Sequence, residues 1–217
     1  FVSESVERFG EFLPPYLDCL LREVEYTGKL LRVSGWHVRT LYMGGGTPTT
    51  LSSGQMARLL EAINTHFDLS RCLEFTVEGG RPDTLDAEKL RVIKAGGATR
   101  ISINPQTMSD TVLRAVGRRH SAASVVDVFH QAREAGFDDI NMDLIAGLPA
   151  DTADGFADSL RQVMNLGPSN ITVHTLALKK GADLFQRRVA LPSQADVARM
   201  LEDAERALRA DGFVPYY

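Results

Sequence analysis

The sequence predicts an α/β protein whose parallel sheet forms a barrel or partial barrel. Apolar runs of strand length alternate with amphipathic helical segments along the 217 residues. Strict alternation of this kind is typical of a parallel sheet covered by helices. Polar or glycine residues also follow each predicted strand, and a barrel builds its site from one such contribution per strand. A doubly wound sheet would instead concentrate its site at one switch point, so we expect the barrel.

Each element follows from a local residue pattern. The first helix is predicted over 3–32, where Leu17, Leu20, Leu21 and Val24 recur at helical spacing. Serine N-caps and glycine stops delimit the later helices. The predicted strands cover 38–44, 73–79, 100–106, 139–148 and 170–178, and a further strand begins in 212–217. The remaining predicted helices cover 52–67, 84–97, 109–117, 121–136, 152–167 and 193–211.

Composition narrows the class of protein. Hydrophobic residues make up 44%, charged residues 24%, and the net charge is -4, which is ordinary for a soluble domain and unlike a basic nucleic-acid binder. No apolar run approaches the roughly 18 residues of a membrane span. The two cysteines, Cys19 and Cys72, belong to no CxxC spacing and are expected to be buried and reduced. Without a signal peptide at its start, the chain is expected in the cytoplasm.

The stretch LYMGGGTPTTL, 41–51, places three glycines directly after a predicted strand. Three glycines indicate that a ligand or another segment approaches the backbone closely. The stretch lacks the third glycine of a dinucleotide-binding loop and the lysine of a P-loop, so phosphate binding has little support. A cationic amine is the alternative ligand, because the backbone carbonyls and the Thr47 hydroxyl can accept its hydrogen bonds.

Five ordered blocks carry a resemblance to a known family. They are GGGTPT, VEGGRPDTL, RISINPQT, GRRH and NMDLIAGLP. Together they resemble the oxygen-independent coproporphyrinogen III oxidases, a branch of the radical S-adenosylmethionine enzymes, and in particular the oxidase-like subgroup. The resemblance covers nearly the whole chain. It implies a partial (β/α)6 barrel core over 1–212 that uses S-adenosylmethionine and a [4Fe–4S] cluster.

The resemblance also implies an activity. The family's oxidases decarboxylate the propionates of coproporphyrinogen III to vinyl groups in heme biosynthesis, giving protoporphyrinogen IX. An electron donor such as a flavodoxin or a ferredoxin would serve the cluster. Related proteins bind or deliver heme without oxidase activity, and a pocket remnant without a cluster is a third possibility. The sequence by itself leaves these three functions open.

Site residues follow from the resemblance position by position. Gly44, Gly45, Gly46 and Thr47 would hold the methionyl amine of S-adenosylmethionine. Glu78 would accept hydrogen bonds from the cofactor, and Gln106 and Asp143 would bind its ribose and adenosyl portion. Arg118 would pair with the methionyl carboxylate, and Gly147 would lie near the adenine. The catalytic residues stay unassigned.

Structural roles compete with some of these assignments. Glu78 could pair with Arg81 as a structural ion pair. The run of Arg118, Arg119 and His120 could be a solvated helix edge. His174, at the end of a predicted strand, is a structural histidine or a proton donor.

The family's cluster motif, CxxxCxxC, is not found in these 217 residues. We expect the cluster cysteines and the first barrel strand upstream of Phe1, and 213–217 to begin a further C-terminal segment. The 217 residues alone are expected to be inactive.

Overall fold

The computed structural model describes residues 6–177 and 189–216. Within them it contains one five-stranded sheet and seven α-helices. The strands are β1 (Thr40–Met43), β2 (Glu74–Gly80), β3 (Arg100–Gln106), β4 (Asp139–Ala146) and β5 (Asn170–Thr175). The helices are α1 (Val6–Ser34), α2 (Ser53–His66), α3 (Ala87–Ala95), α4 (Asp110–Ala115), α5 (Ala122–Glu134), α6 (Ala153–Leu166) and α7 (Gln194–Ala210).

The strands lie in the order β1-β2-β3-β4-β5, and every neighbouring pair is parallel. The order never reverses, so the sheet has no switch point of the kind that a doubly wound fold requires. The predicted α/β fold with a partial barrel is therefore confirmed.

The two faces of the sheet differ because side chains alternate along each strand. Phe75, Val77, Ile101, Ile103 and Ile140 are at most 2% exposed and belong to the hydrophobic core. The residues between them are polar, and we call their concave face the lumen. A strand with one apolar and one polar face thus sends its apolar side to the core and its polar side to the lumen.

Helix starts follow the capping chemistry of the sequence. The Ser52 and Thr152 side chains accept the backbone N–H of Gln55 and Gly155. The prediction that a helix begins at 84 is wrong, because Pro82–Thr84 forms a 3₁₀ turn and α3 begins only after Asp86, which caps it.

The predicted strand in 212–217 is not formed in the part that the structure describes, since 213–216 have no regular structure. The Phe213 N–H donates to Leu208 O at the end of α7, at 2.9 Å, and Pro215 has no N–H to donate. A ladder with β5 would need these donors. The preceding strand ends at Thr175 rather than 178, and 178 lies outside the described residues.

The two cysteine thiols are more exposed than predicted. Cys19 is exposed on α1 and Cys72 is half-buried, so the prediction of two buried thiols is wrong. The Cys72 Sγ lies 3.3 Å from Glu74 O. None of the described helices is long and apolar enough to cross a membrane.

Candidate functional site

The glycine loop after β1 lies against the end of β2. The Gly45 N–H donates to Glu78 Oε2 at 3.3 Å, and Gly45 has a φ of 92°, in the region that favours glycine. A Cβ on Gly44 would lie 2.7 Å from the same Glu78 oxygen and 2.2 Å from a ring carbon of Tyr42. The close approach predicted for the glycines is therefore in part an approach to Glu78.

Nothing lies within 4 Å of a Cβ built on Gly45 or Gly46. The open side of the loop can therefore receive a ligand against bare backbone. Thr47 begins the 3₁₀ turn Pro48–Thr50, and its carbonyl accepts the Thr50 N–H at 2.9 Å. Its hydroxyl makes no capping hydrogen bond.

Glu78 does not form the alternative ion pair. Among the residues that the structure describes, no contact within 4.0 Å joins it to Arg81. The Asn104 Nδ2 donates to Glu78 Oε1 at 3.4 Å, so the carboxylate is bound by a backbone amide on one side and an amide side chain on the other.

Gln106 and Arg118 are brought together at the end of β3. Gln106 has a φ of 68°, rare for a side-chain-bearing residue, and its Oε1 accepts the Arg118 Nε–H at 3.0 Å. Burial lowers the pKa of Arg118, and the charge of Arg81 adds to this effect. Arg118 is half-buried and His120 is buried, while Arg119 alone is exposed, so the run is not a solvated edge.

Two carboxylates face the lumen from different strands. Asp143, on β4, has a side chain 19% exposed, and burial raises its pKa. Burial also raises the pKa of Glu78, the Gly45 N–H opposes that rise, and the charge of Asp143 adds to it. The pKa of Tyr42 is raised by burial and then by the charges of both carboxylates. The three side chains thus share one electrostatic environment.

His174 and Gly147 lie at the same edge of the sheet. The His174 Nε2 lies 4.0 Å from Asp143 Oδ2, and half of the side chain is exposed. Both roles predicted for His174 stay predictions. Gly147 follows the last residue of β4 with a φ of 86°, and a Cβ there would lie 3.1 Å from Val197 Cγ2 on α7.

Several residues of the site escaped the sequence-based assignment. Tyr42, Ser102 and Asn141 face the lumen and contact the carboxylates or their neighbours. A signal was present for Asn141: counting back by two from Asp143 reaches it, which is the period of a strand face. His120, at 8% exposure with neither ring nitrogen bonded to a described residue, was assigned only as part of a charge run.

The charged and polar groups of this site suit a cationic ligand. Glu78 and Asp143 supply negative charge in a partly buried lumen, where a sulfonium or ammonium group is favoured. The bare glycine loop adds backbone acceptors, and Arg118 adds a planar donor for a carboxylate. S-adenosylmethionine carries all three complementary groups, so the residues fit it.

The described residues do not supply the ligands that an iron–sulfur cluster needs. Cluster iron in proteins is held chiefly by cysteine thiolates. Cys19 lies on α1, and Cys72 lies just before β2. No group of three metal-ligating side chains is found among the described residues, 6–177 and 189–216. The described residues therefore do not fit a cluster, and its ligands are not assigned to them.

Comparison with known proteins gives a consistent set of relatives. Residues 15–163 match the sequence model of the Radical SAM superfamily. The chain is 38% identical over 198 residues to the oxygen-independent coproporphyrinogen-III oxidase-like protein HemZ of Bacillus subtilis, covering 90% of this chain and 40% of that protein. It is 35% identical to the heme chaperone HemW of the same organism, covering 93% of this chain and 54% of that protein.

A solved structure matches as well. Coproporphyrinogen III oxidase (HemN) from Escherichia coli superimposes with a TM-score of 0.85 at 29% identity, covering 97% of this chain and 48% of that one. The chain thus spans about half, or less, of the length of the relatives it matches.

Proposed function

Because this chain belongs to the Radical SAM superfamily, we propose that it forms the S-adenosylmethionine-binding barrel of an enzyme that oxidatively decarboxylates coproporphyrinogen III. The observation that carries the proposal is the convergence of the glycine loop, Glu78 and Asp143 at one edge of the sheet. The similarity to oxidase-named relatives supports the choice of substrate.

Each site residue has a distinct task in this proposal. The glycine-loop carbonyls of Gly44 and Gly46, together with Glu78, would accept the methionyl ammonium. Arg118 would pair with the methionyl carboxylate, and the hydrogen bond from its Nε–H to Gln106 would hold the guanidinium group in place. Charge-assisted hydrogen bonds of this kind are the strongest a site can offer.

The nucleoside half would lie toward β4. The Asp143 carboxylate accepts hydrogen bonds, which suits ribose hydroxyls, and Gln106 can also contact the adenosyl portion. Gly147, without a side chain, would leave room for the adenine beside Val197. The acidic lumen would hold the sulfonium by charge attraction.

When bound and reductively cleaved, S-adenosylmethionine supplies the power to abstract a hydrogen atom. In the overall reaction each propionate would lose carbon dioxide, one abstracted hydrogen atom and one further electron, which a one-electron acceptor would have to take up, and would become a vinyl group. The donor of the cleaving electron, a flavodoxin or a ferredoxin, stays a prediction. A cytoplasmic location and the division into a core over 1–212 and a segment from 213 also stay predictions.

A full-length, anaerobically reconstituted protein tests the proposal. We expect it to form 5′-deoxyadenosine from S-adenosylmethionine and to convert coproporphyrinogen III to protoporphyrinogen IX with release of carbon dioxide. Glu78→Gln is expected to weaken S-adenosylmethionine binding by about 10- to 100-fold, since a charge-assisted hydrogen bond contributes about 1.5–3 kcal/mol.

Glu74→Gln is the matched control. Glu74 lies on the same face of β2, four residues before Glu78, and pairs with Arg100 at 3.1 Å, so its substitution removes a lumen carboxylate without touching the glycine loop. Equal cofactor affinity in Glu78→Gln and Glu74→Gln would contradict the proposed cofactor site.

Heme binding without oxidase activity is the second candidate function. It is favoured by the similarity to heme chaperones over 93% of the chain. Stoichiometric heme binding, seen as a shifted Soret band, with no consumption of coproporphyrinogen III would support this function and exclude the oxidase.

A further inference from the structure

A chain of hydrogen bonds crosses the lumen from Glu78 to Asp143. The Asn104 Nδ2 donates to Glu78 Oε1 at 3.4 Å, and the Ser102 Oγ donates to Asn104 Oδ1 at 2.8 Å. The Asn141 Nδ2 then donates to the Ser102 Oγ at 2.8 Å and to Asp143 Oδ1 at 2.6 Å. Three strands thus contribute to one connected set of polar side chains.

Asn141 is the residue on which this chain depends. It is 6% exposed, and its amide nitrogen has two hydrogens, which match its two acceptors. Its Oδ1 accepts the Thr172 hydroxyl at 3.0 Å. Flipping the amide would place its oxygen against the Asp143 carboxylate, so the hydrogen bonds fix a single orientation.

Ser102 transmits that orientation. It is also 6% exposed, and its single hydroxyl hydrogen is committed to Asn104 because the oxygen already accepts from Asn141. Asn104 in turn must point its nitrogen toward Glu78. The direction of every link thus agrees with a carboxylate acceptor at each end of the chain.

We propose that Asn141 is a positioning residue for the cofactor site, holding the Asp143 carboxylate directly and orienting Glu78 through Ser102 and Asn104. The role as a cofactor site rests on the proposed function, whereas the coupling of the two carboxylates does not. None of the three positioning residues has to touch a ligand.

The charge balance at Asp143 gives the proposal a measurable consequence. The groups that face Asp143 are Glu78 from β2, Tyr42 from β1, Arg100 from β3 and His174 from β5. Burial raises the pKa of Asp143, and the hydrogen bond from Asn141 is the first of the effects that oppose this rise, ahead of the charge of His174. Removing the Asn141 donor should therefore raise the pKa of Asp143 further.

The test compares the full-length wild type with Asn141→Leu. The titration of Asp143 is followed by NMR of the ¹³C-labelled carboxyl group without ligand, and S-adenosylmethionine affinity is measured by equilibrium dialysis from acidic to alkaline pH. We expect Asp143 to titrate at a higher pH in the variant than in the wild type. Cofactor affinity should fall about tenfold on the acidic side and much less on the alkaline side.

Asn64→Leu is the matched control. The Asn64 amide on α2 also donates two hydrogen bonds, to Leu60 O and Gly96 O, both at 2.8 Å, but it lies outside the lumen. We expect it to lower thermal stability while leaving the Asp143 titration and cofactor affinity unchanged.

Ser102→Ala separates the two ends of the chain. It keeps the bond from Asn141 to Asp143 and removes the link to Asn104, so affinity should fall by about threefold at every pH with the Asp143 titration unchanged. Should Asn141→Leu fail to fold, Asn141→Ser, which lacks the amide donors, is expected to shift the titration in the same direction.

An Asp143 titration that is identical in the wild type and the Asn141 variant would overturn the proposal. So would an affinity loss in that variant that is equal at every pH, because that result would show a purely structural role. A wild type that binds no S-adenosylmethionine, combined with a shifted titration in the variant, would overturn the proposed function and leave the coupling of the carboxylates standing.

Discussion

At the scale of single residues, the site edge holds unusual backbone geometry. Gln106 and Ala150 have φ values of 68° and 63° without being glycine. Such conformations cost of order 1–3 kcal/mol and persist where the surroundings impose them. At Gln106 the hydrogen bond to Arg118 is part of those surroundings, so the strained residue also orients the guanidinium.

Asp151 is a second residue whose native environment is unfavourable, because its carboxyl group is buried. It is 8% exposed, its Oδ1 accepts the Thr152 N–H at 2.9 Å, and its Oδ2 has no hydrogen-bond partner among the described residues. Burial raises its pKa. A carboxyl group whose pKa is raised by folding stabilises the protein below its ordinary pKa, and that contribution is lost as the pH rises through the folded-state value.

Asp151→Asn is therefore expected to raise the free energy of unfolding by about 1 kcal/mol at pH 7, because it removes a buried charge with an unbonded oxygen. At a pH below the ordinary pKa of an aspartate, where the carboxyl group is protonated in the folded and the unfolded state, the gain should be small. Urea unfolding at the two pH values measures this difference. The control is Asp154→Asn, whose side chain is 93% exposed and whose effect should stay within about 0.5 kcal/mol. An equal gain at both pH values would contradict the role of charge.

At the scale of elements, α3 links the two loops that carry the site. Lys89 is 9% exposed, and its Nζ donates to Thr49 O at 2.7 Å and to Thr84 O at 2.8 Å. The Thr49 Oγ1 also donates to Gly79 O at 2.7 Å. The turn after the glycine loop is therefore joined to the turn after β2 through one ammonium group.

Lys89→Met should lower the free energy of unfolding by about 2–3 kcal/mol, because it leaves two carbonyl groups without a charged donor. Chemical denaturation measures this loss. Lys29→Met is the control, since Lys29 is exposed and pairs with Glu25 on the same helix, and such pairs contribute about 0.3–0.5 kcal/mol. Similar losses in the two variants would show that Lys89 does not tie the loops together.

Bulges at the site edge are a second feature at this scale. The register shifts between Glu78 and Gly80 where β2 meets β3, and between Ile103 and Gln106 where β3 meets β4. Bulges re-aim side chains near sites. β2 keeps its alternation as far as Glu78, whereas Gln106 lies beyond the shift in β3 and so does not follow the alternation of the residues before it.

At the scale of the whole molecule, the strands differ in how firmly they are held. β3 is paired on both sides, and its Ile101 and Ile103 are fully buried. Within the described residues β5 pairs only with β4, and none of its residues is buried. Local opening needs less free energy where fewer buried contacts are lost.

Hydrogen exchange measured by mass spectrometry or NMR should therefore show the slowest amide exchange in β3 and clearly faster exchange in β5. The reason is the difference in pairing and burial between a central and an outer strand. Equal protection of the two strands in the 217-residue chain would contradict this gradient and would mean that 170–175 are covered on their second side.

The sequence by itself determined the order of elements and the parallel sheet, and it predicted site residues at the ends of the strands. Helix caps such as Ser52 and Thr152, strand periodicity and the glycine loop are local features, and local features can be predicted without knowing which strands meet. Glu78 and Asp143 were identified from their positions after apolar runs and from the family resemblance.

Only the tertiary structure decided how those residues bond to one another. The pairing of Asn141 with Ser102 and Asp143, the position of Tyr42 beside Glu78 and the tie from Lys89 to two loops join segments up to 40 positions apart in the chain. The missing strand at 213–216 is a further case, because the Phe213 N–H is used by Leu208 O of α7 and Pro215 has no N–H. Hydrogen bonds between distant segments depend on register and strand order, and these are fixed only when the sheet forms.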